Sequence, residues 1–250
     1  MSKPDDKVAA VTFGRARAAA LKSPRYGNGN PELIENAFWE LMIRQRRQAY
    51  WARGIFDLPV DWPAHRRMAA TSAWRDYADG PVFCFTRFGR TVTQLPDGRL
   101  VYIGGEHEDW YDPDFCIYND VVVEHPDGNF DIYAYPRDIF PPTDFHTATL
   151  VGDVIYVIGS LGYKDLRKAG ETPVYVLDTD RFSIRPLPTA GDAPGWISFH
   201  TAVLDRSIET IHIAGGQIAA QTMTLEPNAR GFSLDLKTGH WRASTGEAIP

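Results

Sequence analysis

Residues 104–114 read GGEHEDWYDPD, and they hold five carboxylates (Glu106, Glu108, Asp109, Asp112, Asp114) and one imidazole (His107) with no Lys or Arg among them. Acids this close repel one another and raise each other's pKa unless something positive lies between them. Three counterparts are chemically reasonable: a metal ion, a basic partner, or water. For a hard cation, Asp112 and Asp114 supply oxygen ligands, with Glu106, Glu108 or Asp109 adding more. His107 beside Glu106 or Glu108 would suit iron or zinc, yet no second His follows at ligand spacing. The pattern is not an EF-hand, since Cys116 sits four positions after Asp112 and no glycine closes a loop.

The elements that must position this stretch repeat along the chain, and repetition is the first thing to look for in a sequence. FHTATL (145–150) returns as FHTAVL (199–204), 54 positions later, and a looser copy begins at Phe88. Each copy leads through a turn into a β-rich run that ends on a small pair: Gly104-Gly105, Gly159-Ser160 and Gly215-Gly216. After each pair come a variable loop and two more strands, turning near Pro126-Asp127-Gly128, Asp178-Thr179-Asp180 and Thr238-Gly239. Phe130, Phe182 and Trp241 open the final strands, and alternation such as Val174/Val176 follows strand period. Each unit therefore reads as four antiparallel strands.

On the small doublet, the aromatic-His-Thr-Ala opening and the fourth-strand aromatic, residues 88–245 resemble the kelch-repeat family. The second doublet departs as Gly-Ser, and the usual fourth-strand Trp is present only as Trp241. The resemblance implies a mainly β fold, a partial β-propeller of about three four-stranded blades. It also implies that the loops after the second strands share a partner-binding face with the inter-blade linkers at 140–144 and 191–198. The partner-binding candidates are then Glu106, Glu108, Asp109, Trp110, Tyr111, Asp112, Asp114, Asp144, Tyr163 and Trp196. Kelch-class specifier proteins hold iron with a Glu-x-x-x-Asp-x-x-x-His pattern; here Glu108 and Asp112 fit and Cys116 stands where His is needed. Sugar-acid mutarotases, metal-dependent lyases and copper radical oxidases supply the enzymatic alternative, although nothing matches the oxidases' ligand set. His146 and His200 stand at equivalent repeat positions, which favours a structural role over a catalytic one.

Residues 1–29 read as a partly mobile lead-in, 30–80 as a helical segment, and 81–250 as the blades. Asn30-Pro31 followed by Glu32 and Glu35 predicts an N-cap and a helix of some twenty residues ending at Gly54. Trp74 within 71–77 suggests an extra outer strand. Three blades would leave two apolar lateral faces to cover. The helix can cover one, and a head-to-tail homodimer would cover both.

Charge narrows the partners. Residues 1–80 hold 13 Lys and Arg against 9 Asp and Glu, a net of +4, while 81–250 hold 13 against 23, a net of −10. An acidic body disfavours nucleic acid, and no apolar run approaches the length that spans a bilayer. Cys84 and Cys116 are too few for a disulfide framework, which suits a bacterial cytoplasm, with a single disulfide left open. The expectation is a protein-binding module for a basic partner, of an immunity or inhibitor kind, with no resident cofactor.

Overall fold

A computed structural model describes residues 12–59, 80–107, 114–221 and 224–244. The chain is mainly β and divides into two compact units. One comprises residues 1–25, 34–88 and 106–116, and the other 26–33, 89–105 and 117–250.

The first unit carries α1 (Arg15–Leu21), α2 (Ala37–Arg44) and α3 (Ala49–Phe56). The single helix expected over 31–53 is two helices, and local chemistry explains both ends of the first. The Asn36 side chain accepts from the N–H groups of Phe38 (2.9 Å) and Trp39 (3.1 Å), so the start falls at Asn36 rather than Asn30. Arg46 then adopts φ 48°, and the N–H groups of Arg46 and Arg47 donate to Ile43 O and Met42 O. That paired closure is a Schellman motif, with arginine at the left-handed position that glycine usually holds. Phe38, Trp39, Met42 and Ile43 form the buried stripe of α2, and Trp39 stacks on Phe83 at 4.3 Å. Cys84 and Cys116 are both buried free thiols, which closes the disulfide question.

The second unit holds three antiparallel meanders. The first comprises β2 (Thr91–Gln94), β3 (Leu100–Ile103), β6 (Val121–Glu124) and β7 (Phe130–Ala134), with β1 (Glu32–Leu33) added on the outside of β7. Between β3 and β6 the chain passes through β4 (Glu106–His107) and β5 (Cys116–Ile117). The second meander runs β8 (Thr147–Val151), β9 (Val154–Ile158), β10 (Val174–Asp178) and β11 (Ile184–Pro186). After β12 (Ala190–Gly191) and β13 (Ile197–Ser198) comes the third. It consists of β14 (Thr201–Asp205), β15 (Thr210–Ala214), β18 (Phe232–Asp235) and β19 (His240–Ala243), with β12 parallel to β19. β16 (Gln217–Ala219) and β17 (Leu225–Pro227) make a hairpin that pairs with β13. The extra strand on the first meander is thus Glu32–Leu33; the strand expected at 71–77 lies outside the described residues.

Two apolar layers separate the three sheets. Val101, Ile103, Val121, Val123 and Tyr135 pack with Ile155, Val157, Leu177 and Ile184. Ile158 and Val174 pack with Ile211, Ile213, Phe232, Leu234 and Trp241. Strand period sends alternate residues to opposite faces, so each sheet contributes one set of side chains to each side. The outward rows of the third meander are Val203–His212–Ser233–Arg242 and Asp205–Thr210–Asp235–His240, mostly polar. Their counterparts in the second meander, Thr149–Tyr156–Val176–Arg185 and Val151–Val154–Asp178, carry more apolar residues in the two middle strands. A polar outer face is how a terminal repeat stays soluble.

The hairpin turns consume much of the acidic surplus. Asp97, Asp127, Asp178, Asp205 and Asp235 each accept backbone N–H groups two or three residues on. Those hydrogen bonds, with the Ser207 hydroxyl the larger cause at Asp205, hold the carboxyls of Asp97, Asp127, Asp205 and Asp235 below the usual carboxylate range. Five of the 23 acids in residues 81–250 are thus turn residues.

Candidate functional site

The small doublets hold the meanders to the segments that cross them. A Cβ on Gly104 would strike Thr143 O, and one on Gly159 would strike Ile197 O; both glycines have positive φ. The next residue donates its N–H to the same carbonyl, Gly105 to Thr143 O at 2.8 Å and Ser160 to Ile197 O at 2.9 Å. Only a residue without a side chain permits that approach.

The repeated Phe-His-Thr segments lie where first strands meet. His146 Nε2 hydrogen-bonds Thr91 Oγ1 at 2.8 Å, and His200 Nε2 hydrogen-bonds Thr147 Oγ1 at 3.0 Å. Each histidine thus joins its own meander to the one before. Phe145 N–H donates to Gly89 O, and Phe199 N–H donates to Phe145 O, at 2.8 and 2.9 Å. Phe145 and Phe199 both have positive φ, and their rings lie 4.1 Å apart. Burial pushes His146 down to about 3, with His200 contributing, and pushes His200 down to about 4. Both imidazoles are neutral at pH 7 and tie sheets together, which is structural work.

The candidate residues of the acidic stretch fall into two groups. Glu108, Asp109, Trp110, Tyr111 and Asp112 lie outside the described residues. Glu106 is half-buried in β4, its backbone exchanging two hydrogen bonds with Phe88. His107 is buried, and that burial pushes it down to about 4, with Asp114 opposing and Arg87 reinforcing. Asp114 is buried too: Arg53 Nε donates to Oδ2 at 2.5 Å and Val82 N–H donates to Oδ1 at 2.9 Å. Among the described residues no group of three or more His, Cys, Asp or Glu is placed to hold a metal.

The remaining candidates are in the second unit. Asp144 is fully buried, and its Oδ1 accepts from Gly162 N–H at 2.6 Å. Tyr163 is buried, its hydroxyl accepting from Ile117 N–H at 2.8 Å. Trp196 Nε1 donates to Leu161 O at 3.1 Å, and its ring borders a cleft of about 410 Å³.

That cleft is where the linkers and the loop after β9 converge. Pro141 comes from the first linker, Leu166, Lys168, Glu171, Thr172 and Pro173 from the loop, Leu187 from just past β11, and Trp196 from the second linker. Val174 and Tyr175 of β10 and Pro186 of β11 complete the apolar lining. Tyr175 sits edge-on to Phe140 at 5.1 Å, and burial, with Glu171 nearby, pushes its hydroxyl up to about 12. Thr172 pins the loop to the linker, its Oγ1 donating to Gly195 O at 2.9 Å and accepting from Gly195 N–H at 3.1 Å. The exposed members carry both signs: Asp138, Lys168 and Glu171, with Lys168 and Glu171 paired at 3.4 Å. An apolar base with a charged rim is the usual form of a recognition site.

No family profile matches the chain, and no curated protein does.

Sequence reading named the linkers at 140–144 and 191–198, the loop at 161–168 and Trp196, and did not single out Arg137, Asp138, residues 171–175, Pro186 or Leu187 for this face. The signal for the last two was the Pro-Leu pair just past a β-rich run, which stops a strand and leaves its apolar side chain beside the linker. Among the described residues no helix is long and apolar enough to cross a membrane.

Proposed function

We propose that this chain is a kelch-type open propeller of three blades that binds a protein partner through its loop-and-linker face. The observation that carries the reading is the cleft of about 410 Å³, lined by both linkers, one inter-strand loop and the ends of two strands. Proline at 141, 173 and 186 stiffens the lining, and a stiff lining loses little entropy when a segment docks. The side chain inserted between Tyr175, Leu187 and Trp196 is apolar, and the charged rim sets its orientation. The net charge of −6 and the acids at 106–112 favour a basic partner, and an inhibitor or immunity role suits a compact acidic binder.

Cross-linked capture of the partner from the source cell, followed by calorimetry with the purified pair, tests the reading. Leu166→Ala together with Glu171→Lys is expected to weaken binding by about tenfold or more. Replacing Glu106, Glu108, Asp109 and Asp112 with Gln or Asn is expected to slow association and flatten its salt dependence. A partner that binds both variants as tightly as the native chain overturns the proposal.

A further inference from the structure

The polar groups around the cleft at Trp196 narrow what kind of segment can dock there. A docking strand needs backbone N–H and C=O partners along one wall. Pro141, Pro173 and Pro186 carry no N–H, and those of Leu166, Glu171 and Leu187 already donate to Tyr163 O, Lys168 O and Val174 O. On β11, which borders the cleft, the Asn30 amide holds the outward groups of Ile184. Trp196 Nε1 and Thr172 Oγ1 are spent as well, on Leu161 O and on Gly195. Tyr175 differs: it lines the cleft, and its hydroxyl has no hydrogen-bond partner among the described residues. Burial holds that hydroxyl up at about 12, so it stays neutral and can donate to one carbonyl. The rim adds a charge preference. Arg137 pairs with Asp165 at 3.7 Å and Lys168 with Glu171 at 3.4 Å. Asp138 is exposed and has no ion-pair partner among the described residues.

We propose, on the reading of the cleft as the partner site, that the docking segment is a proline-rich stretch of the partner protein. It lies in polyproline II conformation with an Arg or Lys beside its prolines. A strand laid against these walls would bury backbone N–H and C=O groups without partners, which is costly. A polyproline II segment makes no internal hydrogen bonds and has no N–H at each proline, so walls of this kind suit it. One of its carbonyls accepts from the Tyr175 hydroxyl, and the others face water. Its rings pack against Trp196, Tyr175 and Leu187, and its stiffness keeps the entropy lost on docking small. Asp138 then meets the cation, which fixes which end of the segment lies at that side of the cleft.

Fluorescence anisotropy with the full chain and labelled synthetic peptides reads the result. Two oligoproline peptides carry Arg at opposite ends, and control peptides with the same Arg replace the prolines by alanine or by alternating Val and Thr. One oligoproline peptide is expected to bind about tenfold or more tighter than either control. Asp138→Asn is expected to abolish the difference between that peptide and its version with Gln in place of Arg. Tyr175→Phe, which removes only an unpartnered hydroxyl, is expected to weaken binding about two- to tenfold without lowering the melting temperature. Controls that bind as tightly as the oligoprolines overturn the proposal, and so does an absence of binding by both oligoprolines. Affinity unchanged in both Asp138→Asn and Tyr175→Phe overturns it too, because the peptide then lies elsewhere. In each of these cases the cleft remains the partner site if Leu166→Ala with Glu171→Lys still weakens the captured partner, and that reading falls as well if it does not.

Discussion

The side-chain amide of Asn30 does for Ile184 what a neighbouring strand would do. Its Nδ2 donates to Ile184 O at 2.6 Å, and its Oδ1 accepts from Ile184 N–H at 2.9 Å, across 154 residues of sequence. Among the described residues, β11 is the outer edge of a four-stranded meander, whereas β1 and β12 add a fifth strand to the other two. An open edge invites pairing with other chains. Here Asn30 occupies the outward groups of Ile184, and Pro186 has no N–H to offer. Asn30→Ala is expected to cost about 1–3 kcal/mol, read as a lower urea midpoint. A midpoint equal to the native one would show that water replaces the amide without loss.

Acid should loosen the protein well before its carboxylates are neutralised. His107 and His200 are held near 4 and His146 near 3 by burial, against an ordinary value near 6.5. Between those limits the unfolded chain binds protons that the folded chain does not. Stability is therefore full above about pH 6.5 and falls as pH drops toward 4, by about 1.4 kcal/mol per pH unit for each histidine. Urea melts at pH 7.5, 6 and 5 should show the midpoint falling. His146→Asn should flatten that slope, and an unchanged slope would remove His146 from the account.

The two glycines under the crossing carbonyls should be far less replaceable than glycines in open turns. Gly159→Ala meets Ile197 O and Gly104→Ala meets Thr143 O, while Gly128→Ala meets nothing within 4 Å. The first two are expected to destabilise by about 3 kcal/mol or more, the last by about 1 kcal/mol from its positive φ alone. Thermal melts of the three variants rank them. Equal losses would mean that backbone conformation, not the crossing chain, sets the cost.

Asp114 should matter for stability rather than for binding. Its carboxylate and the Arg53 guanidinium are 4% and 9% exposed, so removing one leaves the other charged and buried. Arg53→Ala is expected to cost about 3–5 kcal/mol, with partner affinity unchanged once the variant is folded. Rescue of its melting temperature by an added divalent cation would point instead to a metal at the acidic stretch.

Strand period, turn residues and the repeated Phe-His-Thr segments were legible in the chain, because each is set by neighbours a few residues apart. Alternation placed Val174/Val176 in a strand, and an Asp side chain closed five of the hairpin turns by accepting nearby backbone N–H groups. The doublet glycines announced a close approach, though not which carbonyl approaches. Asn30 shows where local reading stops. Asn-Pro followed by acids has every mark of a helix start, and the amide was claimed instead by an edge strand 154 residues away. The acidic surplus divides in the same way: Asp205 and Asp235 serve turns, Asp114 answers Arg53, and Asp144 answers Gly162. Composition counts charges without regard to what each one faces. Which carboxylates face solvent, and which linkers meet at Trp196, depends on contacts between residues distant in sequence, and only the tertiary structure brings those together.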